Sequence, residues 1–137
     1  MNNFIEVSSG NFDIIIDDGS HWPQHQIISF ETLWKAVKPG GMYIVEDIET
    51  NWWKVNSSVY GYRITKSPNA VKKWKGVINS VNRIFTGGKS RLTVENYDVY
   101  GNIESIQFGQ NIIIFYKARE GEEKFLDNDK YRFRNNL

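Results

Sequence analysis

The spacing of apolar residues changes period at well-marked places along the chain. Phe12 to Asp17 reads Phe-Asp-Ile-Ile-Ile-Asp, a short β-branched run that predicts a strand over 12–17, buried on both faces as in a parallel sheet. The run stops at Asp17-Asp18-Gly19-Ser20-His21, a polar loop in which Gly19 is free to turn. Pro23 stands where a helix can begin. Ile27, Ile28, Phe30, Leu33, Trp34 and Val37 then recur at helical spacing, predicting a helix over 24–37 that Pro39-Gly40-Gly41 ends. Met42 to Val45 is apolar again and runs into Glu46-Asp47, a second strand over 42–47. These elements make a βαβ unit.

Ile48 to Lys66 is polar and aromatic, with Trp52, Trp53, Tyr60 and Tyr62, and reads as a long loop over the sheet edge. Ser67-Pro68 supplies a cap and a first-turn proline. Ala70, Val71, Trp74, Val77, Ile78, Val81, Ile84 and Phe85 then predict a helix over 68–86, closed by Gly87-Gly88. Two further runs around Gly109-Gln110-Asn111 predict a hairpin over 103–116, and a charged tail occupies 118–137. The fold class is therefore α/β, with a mixed sheet ending in an antiparallel hairpin and one partial domain over 1–117.

At 137 residues, 40% hydrophobic and 24% charged, the chain has a globular composition of single-domain length. Seventeen basic residues against sixteen acidic ones leave a net charge of +1, too balanced for a nucleic-acid or acidic-membrane partner. The absence of cysteine removes disulfides, thiolate metal sites and cysteine nucleophiles. No apolar run approaches the roughly 20 residues of a membrane span, and the first ten residues have no signal-peptide pattern. The expectation is a soluble, cytoplasmic chain.

The chemistry concentrates where the two strands end. In open parallel sheets, ligands bind outside the carboxyl ends of the strands. Adjacent parallel strands would bring Asp17-Asp18 and Glu46-Asp47 to one rim. Carboxylates in such proximity repel one another unless a cation neutralises them, and hard oxygen donors with open water positions suit magnesium. His21, three residues beyond Asp18, is placed to act as a general base. The alternative is an acidic loop that is simply solvated. His25 reads as a packing or helix-terminus residue rather than a second base. Trp52 and Trp53 either line a substrate site or cover the sheet edge. Trp34 and Trp74 are core positions, and Lys72, Lys73 and Lys75 are a solvated helix face.

The segment from Phe12 through His21, with His25, Ser29-Phe30, Leu33, Lys38-Pro39-Gly40-Gly41, Tyr43 and Val45-Glu46-Asp47, forms a long linked pattern. It resembles the class I S-adenosylmethionine-dependent methyltransferases, specifically the metal-dependent sugar O-methyltransferases of the mycinamicin and macrocin type. Thr50-Asn51-Trp52-Trp53, Ser105 to Phe108 and Asn111 to Lys117 are similar to later segments of that family. The resemblance covers about residues 12 to 117. It implies magnesium on Asp18, Glu46 and Asp47, His21 as the base on a sugar hydroxyl, and Asp17 near the methionine end of S-adenosylmethionine. Either Asp17 or Asp18 could face the metal. Glu46 and Asp47 are consecutive, so both serve one ion only if the chain bends there.

The resemblance also implies a glycine-rich donor loop in an earlier half of the fold. Eleven residues precede Phe12, whereas three βα units need on the order of 90. Three explanations follow. The chain is a fragment or split half of a sugar O-methyltransferase, inactive alone and completed by an N-terminal half polypeptide. Or it is a non-catalytic remnant that serves as a binding or homo-oligomerising module. Or it uses the acidic rim as a metal site without a methyl donor.

Overall fold

The computed structural model describes residues 5–6, 9–54, 58–59, 62–63, 69–82 and 99–120. Strand β1 (Phe12–Asp17) leads through a polar loop into helix α1 (Pro23–Leu33) and strand β2 (Val37–Glu46). Strands β3 (Ser58–Val59) and β4 (Tyr62–Arg63) make a small antiparallel pair. Helices α2 (Ala70–Gly76) and α3 (Ile78–Val81) precede the closing hairpin of β5 (Ile103–Gly109) and β6 (Ile112–Lys117). The main sheet has the order β1-β2-β6-β5. β1 runs parallel to β2, and β6 lies antiparallel between β2 and β5. The mixed α/β sheet expected from the sequence therefore forms.

Several boundaries differ from expectation. The helix predicted over 24–37 ends at Leu33, a 3-10 turn follows at Trp34–Ala36, and the chain enters β2 at Val37. Pro39-Gly40-Gly41 lies inside the strand instead of terminating the helix. The pairing partners step from Val37 to Met42 while β1 advances only from Phe12 to Ile14, so these residues form a bulge. At the bulge Pro39 and Gly40 are exposed, Gly40 takes φ +78, and the missing proline N–H costs no ladder bond. Gly41 is required by contact: a Cβ there would sit 2.7 Å from the Asp13 carbonyl oxygen. A side chain distant in sequence satisfies two carbonyls just beyond the helix end. The buried Lys117 ammonium donates to the carbonyls of Trp34 (3.0 Å) and Val37 (2.6 Å). Burial pushes the pKa of Lys117 down.

The loop expected over 48–66 is partly structured, with a 3-10 turn at Ile48–Trp52 and the β3–β4 pair; its other residues from 55 on lie outside the described ones. The helix predicted over 68–86 is two pieces that break at Val77, next to Gly76, a poor helix former. Its N-cap is Asn69, whose side chain accepts from the Lys72 amide at 2.7 Å. Ser67-Pro68, residues 83–86, Gly87-Gly88 and the tail beyond 120 lie outside the described residues. Among the described residues no helix is long and apolar enough to cross a membrane.

The core lies on one face of the sheet. Tyr43, Val45, Ile113 and Phe115 point from β2 and β6 toward Ile27, Phe30 and Trp34 of the first helical segment and Val71 and Trp74 of α2. Phe30 is the centre, with ring centroids of Phe115, Trp34, Tyr43 and Trp74 4.3 to 5.9 Å away. Trp34 and Trp74 are fully buried, as their spacing predicts. Lys73 departs from the expected solvated face: it pairs with Glu31, which also accepts from the Tyr100 hydroxyl at 2.7 Å, tying α1 to α2.

The opposite face overturns one expectation. Among the described residues β1 is an edge strand, and Ile14 and Ile16 are 52% and 58% exposed, so the strand is not buried on both faces. A β-branched run shows only that both faces accept apolar contact. Among the described residues, α1 and α2 cover one of them.

Candidate functional site

β1 and β2 are parallel with Asp17 paired to Val45, so both acidic pairs reach the same rim of the sheet. Backbone turns then aim them. Asp47 adopts φ 52 and ψ 56, the left-handed region, so the chain bends directly after Glu46. His21 is also left-handed at φ 54, whereas Gly19, the expected turning residue, does not take positive φ. A bulky left-handed residue persists only where its surroundings hold it. Thr50, itself buried, does so by donating its hydroxyl to the His21 carbonyl at 2.5 Å.

Asp18, His21 and Asp47 converge: one ligand atom from each lies within 4.8 Å of the others. The His21 Nε2 atom is 3.7 Å from Asp18 Oδ1, and its Nδ1 atom is 3.4 Å from Asp47 Oδ2. The imidazole is buried while the Asp18 carboxylate is 62% exposed, so the cluster opens to solvent on the Asp18 side. Two carboxylates and an open side fit a hard divalent cation; the imidazole nitrogen is the softer donor and suits proton transfer better.

The other predicted site residues stand around this cluster. Glu46 closes β2, half-buried, and its carboxylate is not part of the group of three. Asp17 is turned from it and accepts from the Tyr43 hydroxyl at 3.1 Å. Burial pushes the Asp17 pKa up, opposed by the bonds from Tyr43 and the Gly19 amide; burial and the Asp17 charge push Tyr43 up as well. His25 pairs its Nδ1 with Ser20 Oγ at 2.7 Å and meets the Trp22 ring edge-on, which agrees with a packing role. Trp52 and Trp53 are exposed, 64% and 44%.

Three supporting residues were given no role at the rim by the sequence. Gln26 on α1 is buried and donates its amide to the carbonyls of Glu46 (3.2 Å) and Asp47 (3.3 Å). Asn51 donates to the Ile48 carbonyl at 2.9 Å and accepts from the Ala70 amide at 2.7 Å, linking the acidic loop to the start of α2. Asn111, in the turn between β5 and β6, donates to Asp47 Oδ1 at 2.7 Å. Each acts across a long stretch of sequence, which residue spacing alone does not reveal.

A parallel βαβ unit with this acidic, histidine-bearing rim and an antiparallel closing hairpin matches part of the fold of a solved α/β methyltransferase. The solved MycE methyltransferase of the mycinamycin biosynthetic pathway, in complex with Mg and SAH, superimposes with a TM-score of 0.66 at 28% identity, over 85% of this chain and 29% of that one. The L-olivosyl-oleandolide 3-O-methyltransferase of Streptomyces antibioticus is 39% identical over 72 residues, 53% of this chain and 19% of the enzyme. The demethylmacrocin O-methyltransferase of Streptomyces fradiae is 52% identical over 44 residues, 32% of this chain and 11% of the enzyme. No family model matches the chain. In sequence and fold the chain is thus similar to the sugar O-methyltransferases of the macrocin and mycinamicin type, and it spans less than a third of the length of each of these three proteins.

Proposed function

We propose that the chain carries the metal-and-base part of an S-adenosylmethionine-dependent O-methyltransferase acting on a sugar hydroxyl of a glycosylated small molecule. The observation that supports this reading is the convergence of Asp18, His21 and Asp47 at the carboxyl ends of two parallel strands. Asp18 and Asp47, with Glu46 beside them, are the oxygen donors for magnesium, which when bound offsets their charge and lowers the pKa of an acceptor hydroxyl. His21 is the general base. It takes the hydroxyl proton as the oxygen attacks the methyl carbon of the donor; the new O–C bond forms as the C–S bond breaks, and S-adenosylhomocysteine leaves. The ring that receives the proton lies between the Asp18 and Asp47 carboxylates, 3.7 and 3.4 Å away. Asp17, steadied by Tyr43, is assigned to the methionine end of the donor.

The nucleotide side of the donor site needs a glycine-rich strand-to-helix loop, and none occurs in these 137 residues. We assign it to polypeptide that pairs with the outer edge of β1, along which no strand lies among the described residues, and covers Ile14 and Ile16, as expected of a fragment or split half. The same exposed isoleucines favour a second reading, a non-catalytic module that assembles through this face.

Titration calorimetry with magnesium and S-adenosylmethionine, separately and together, tests the first reading. Magnesium uptake is expected, its loss in Asp18→Asn/Asp47→Asn is expected, and the chain alone is expected not to take up the donor. A chain that binds no magnesium sinks the metal assignment. The assembly reading then stands or falls on sedimentation: it requires an oligomer that Ile14→Thr/Ile16→Thr dissociates.

A further inference from the structure

We infer that Asn111, on the turn of the closing hairpin, is a positioning residue for Asp47; the inference rests on the metal reading of the rim. Asp47 uses its two carboxylate oxygens differently. Oδ2 faces His21 Nδ1 at 3.4 Å, inside the cluster, while Oδ1 accepts the Asn111 side-chain amide at 2.7 Å. A carboxylate rotates readily about its terminal torsion, which has only broad minima. One amide bonded to one oxygen removes that freedom and leaves the other oxygen turned toward Asp18 and His21.

Asn111 is itself anchored. Its side-chain oxygen accepts the Glu49 amide at 2.9 Å, so a single carboxamide bridges the side chain of Asp47 and the backbone two residues further on. Gln26 of α1 holds the same segment through the carbonyls of Glu46 and Asp47. The backbone and the carboxylate of Asp47 are therefore held by separate amides from different elements. Partners that orient a ligand in this way commonly change metal affinity about 10- to 100-fold when removed.

An ordinary explanation competes. Asn111 has φ +60, and asparagine is among the few residues that tolerate this conformation, so the turn alone would account for it. The two accounts separate in Asn111→Gly, which keeps the turn and deletes the amide. The bond from Asn111 to Asp47 is exposed to solvent, so its removal is expected to shift the melting temperature little.

The experiment is magnesium titration calorimetry on the wild-type chain and Asn111→Gly, with thermal melts of both. The expected result is a magnesium dissociation constant raised about tenfold with the melting temperature nearly unchanged. Equal affinity in the two proteins overturns the inference while leaving the metal reading intact. A wild-type chain that takes up no magnesium overturns both. A measurement without any variant guards against poor folding of the glycine mutant: the side-chain amide resonances of Asn111 should shift with magnesium along the calorimetric isotherm. Resonances that stay fixed at saturating magnesium overturn the inference.

Discussion

The two faces of the central sheet are built from the same strands and from similar residues, yet they have opposite fates. On one face Tyr43, Val45, Ile113 and Phe115 are fully buried beneath Phe30, Trp34 and Trp74. On the other, Ile14 and Ile16 of β1 lie more than half exposed, beside the half-buried Met42 and Ile44 with which they pair. Apolar character makes a strand face able to be covered. Whether it is covered depends on which elements the rest of the polypeptide places over it. The acidic rim sits where the strands of both faces end, so its support is uneven: α1 and the hairpin turn brace Asp47, while Asp18 opens to solvent.

The sharpest way to break this contrast is a matched pair of substitutions. Phe30→Ala, at the centre of the aromatic cluster, is expected to cost about 3–5 kcal/mol in denaturant unfolding, enough to unfold a marginal domain. Ile16→Thr on the bare face should change stability by no more than about 0.5 kcal/mol. A comparable loss at Ile16 would show that this face is covered in solution.

A smaller effect is expected at Lys117. Lys117→Met keeps the buried stem but strands the carbonyls of Trp34 and Val37, at a cost of about 1–3 kcal/mol. A methionine variant as stable as the parent would mean that water reaches those carbonyls.

The smallest effect concerns the rim. Burial raises the Asp17 pKa in the folded state, so the folded carboxyl holds its proton to higher pH than the unfolded one. Its contribution to stability is fully present below the unfolded value of 3.8 and is lost as pH rises through the folded pKa. Asp17→Asn keeps an acceptor for the Tyr43 hydroxyl and removes the charge. It should raise the melting temperature slightly at neutral pH and abolish that decline, as melts across the acid range would reveal. A lower melting temperature at neutral pH would indicate that the bond to charged Asp17 outweighs its burial.

Much of the architecture was legible in the residues themselves. The continuous apolar runs and the helical spacing located both parallel strands, the helix between them and the closing hairpin, because those signals arise within a few neighbouring residues. The acidic pairs and His21 stood out for the same reason, being adjacent in the chain and placed at strand ends. For Glu46 and Asp47 to serve one ion, the sequence demanded a bend between them, since consecutive strand residues point to opposite faces.

Only the tertiary structure decided the rest. Pro39-Gly40-Gly41 has the composition of a helix stop, but the bulge opposite β1 and the reach of Lys117 turned it into part of a strand. The left-handed turn fell to His21 rather than Gly19, because the buried Thr50 holds the histidine carbonyl across 29 residues of chain. Gln26 and Asn111 meet Asp47 from elements 21 and 64 residues away. Local sequence determines which conformations and surfaces are affordable; contacts between distant segments select among them, and that selection exists only once the chain has folded.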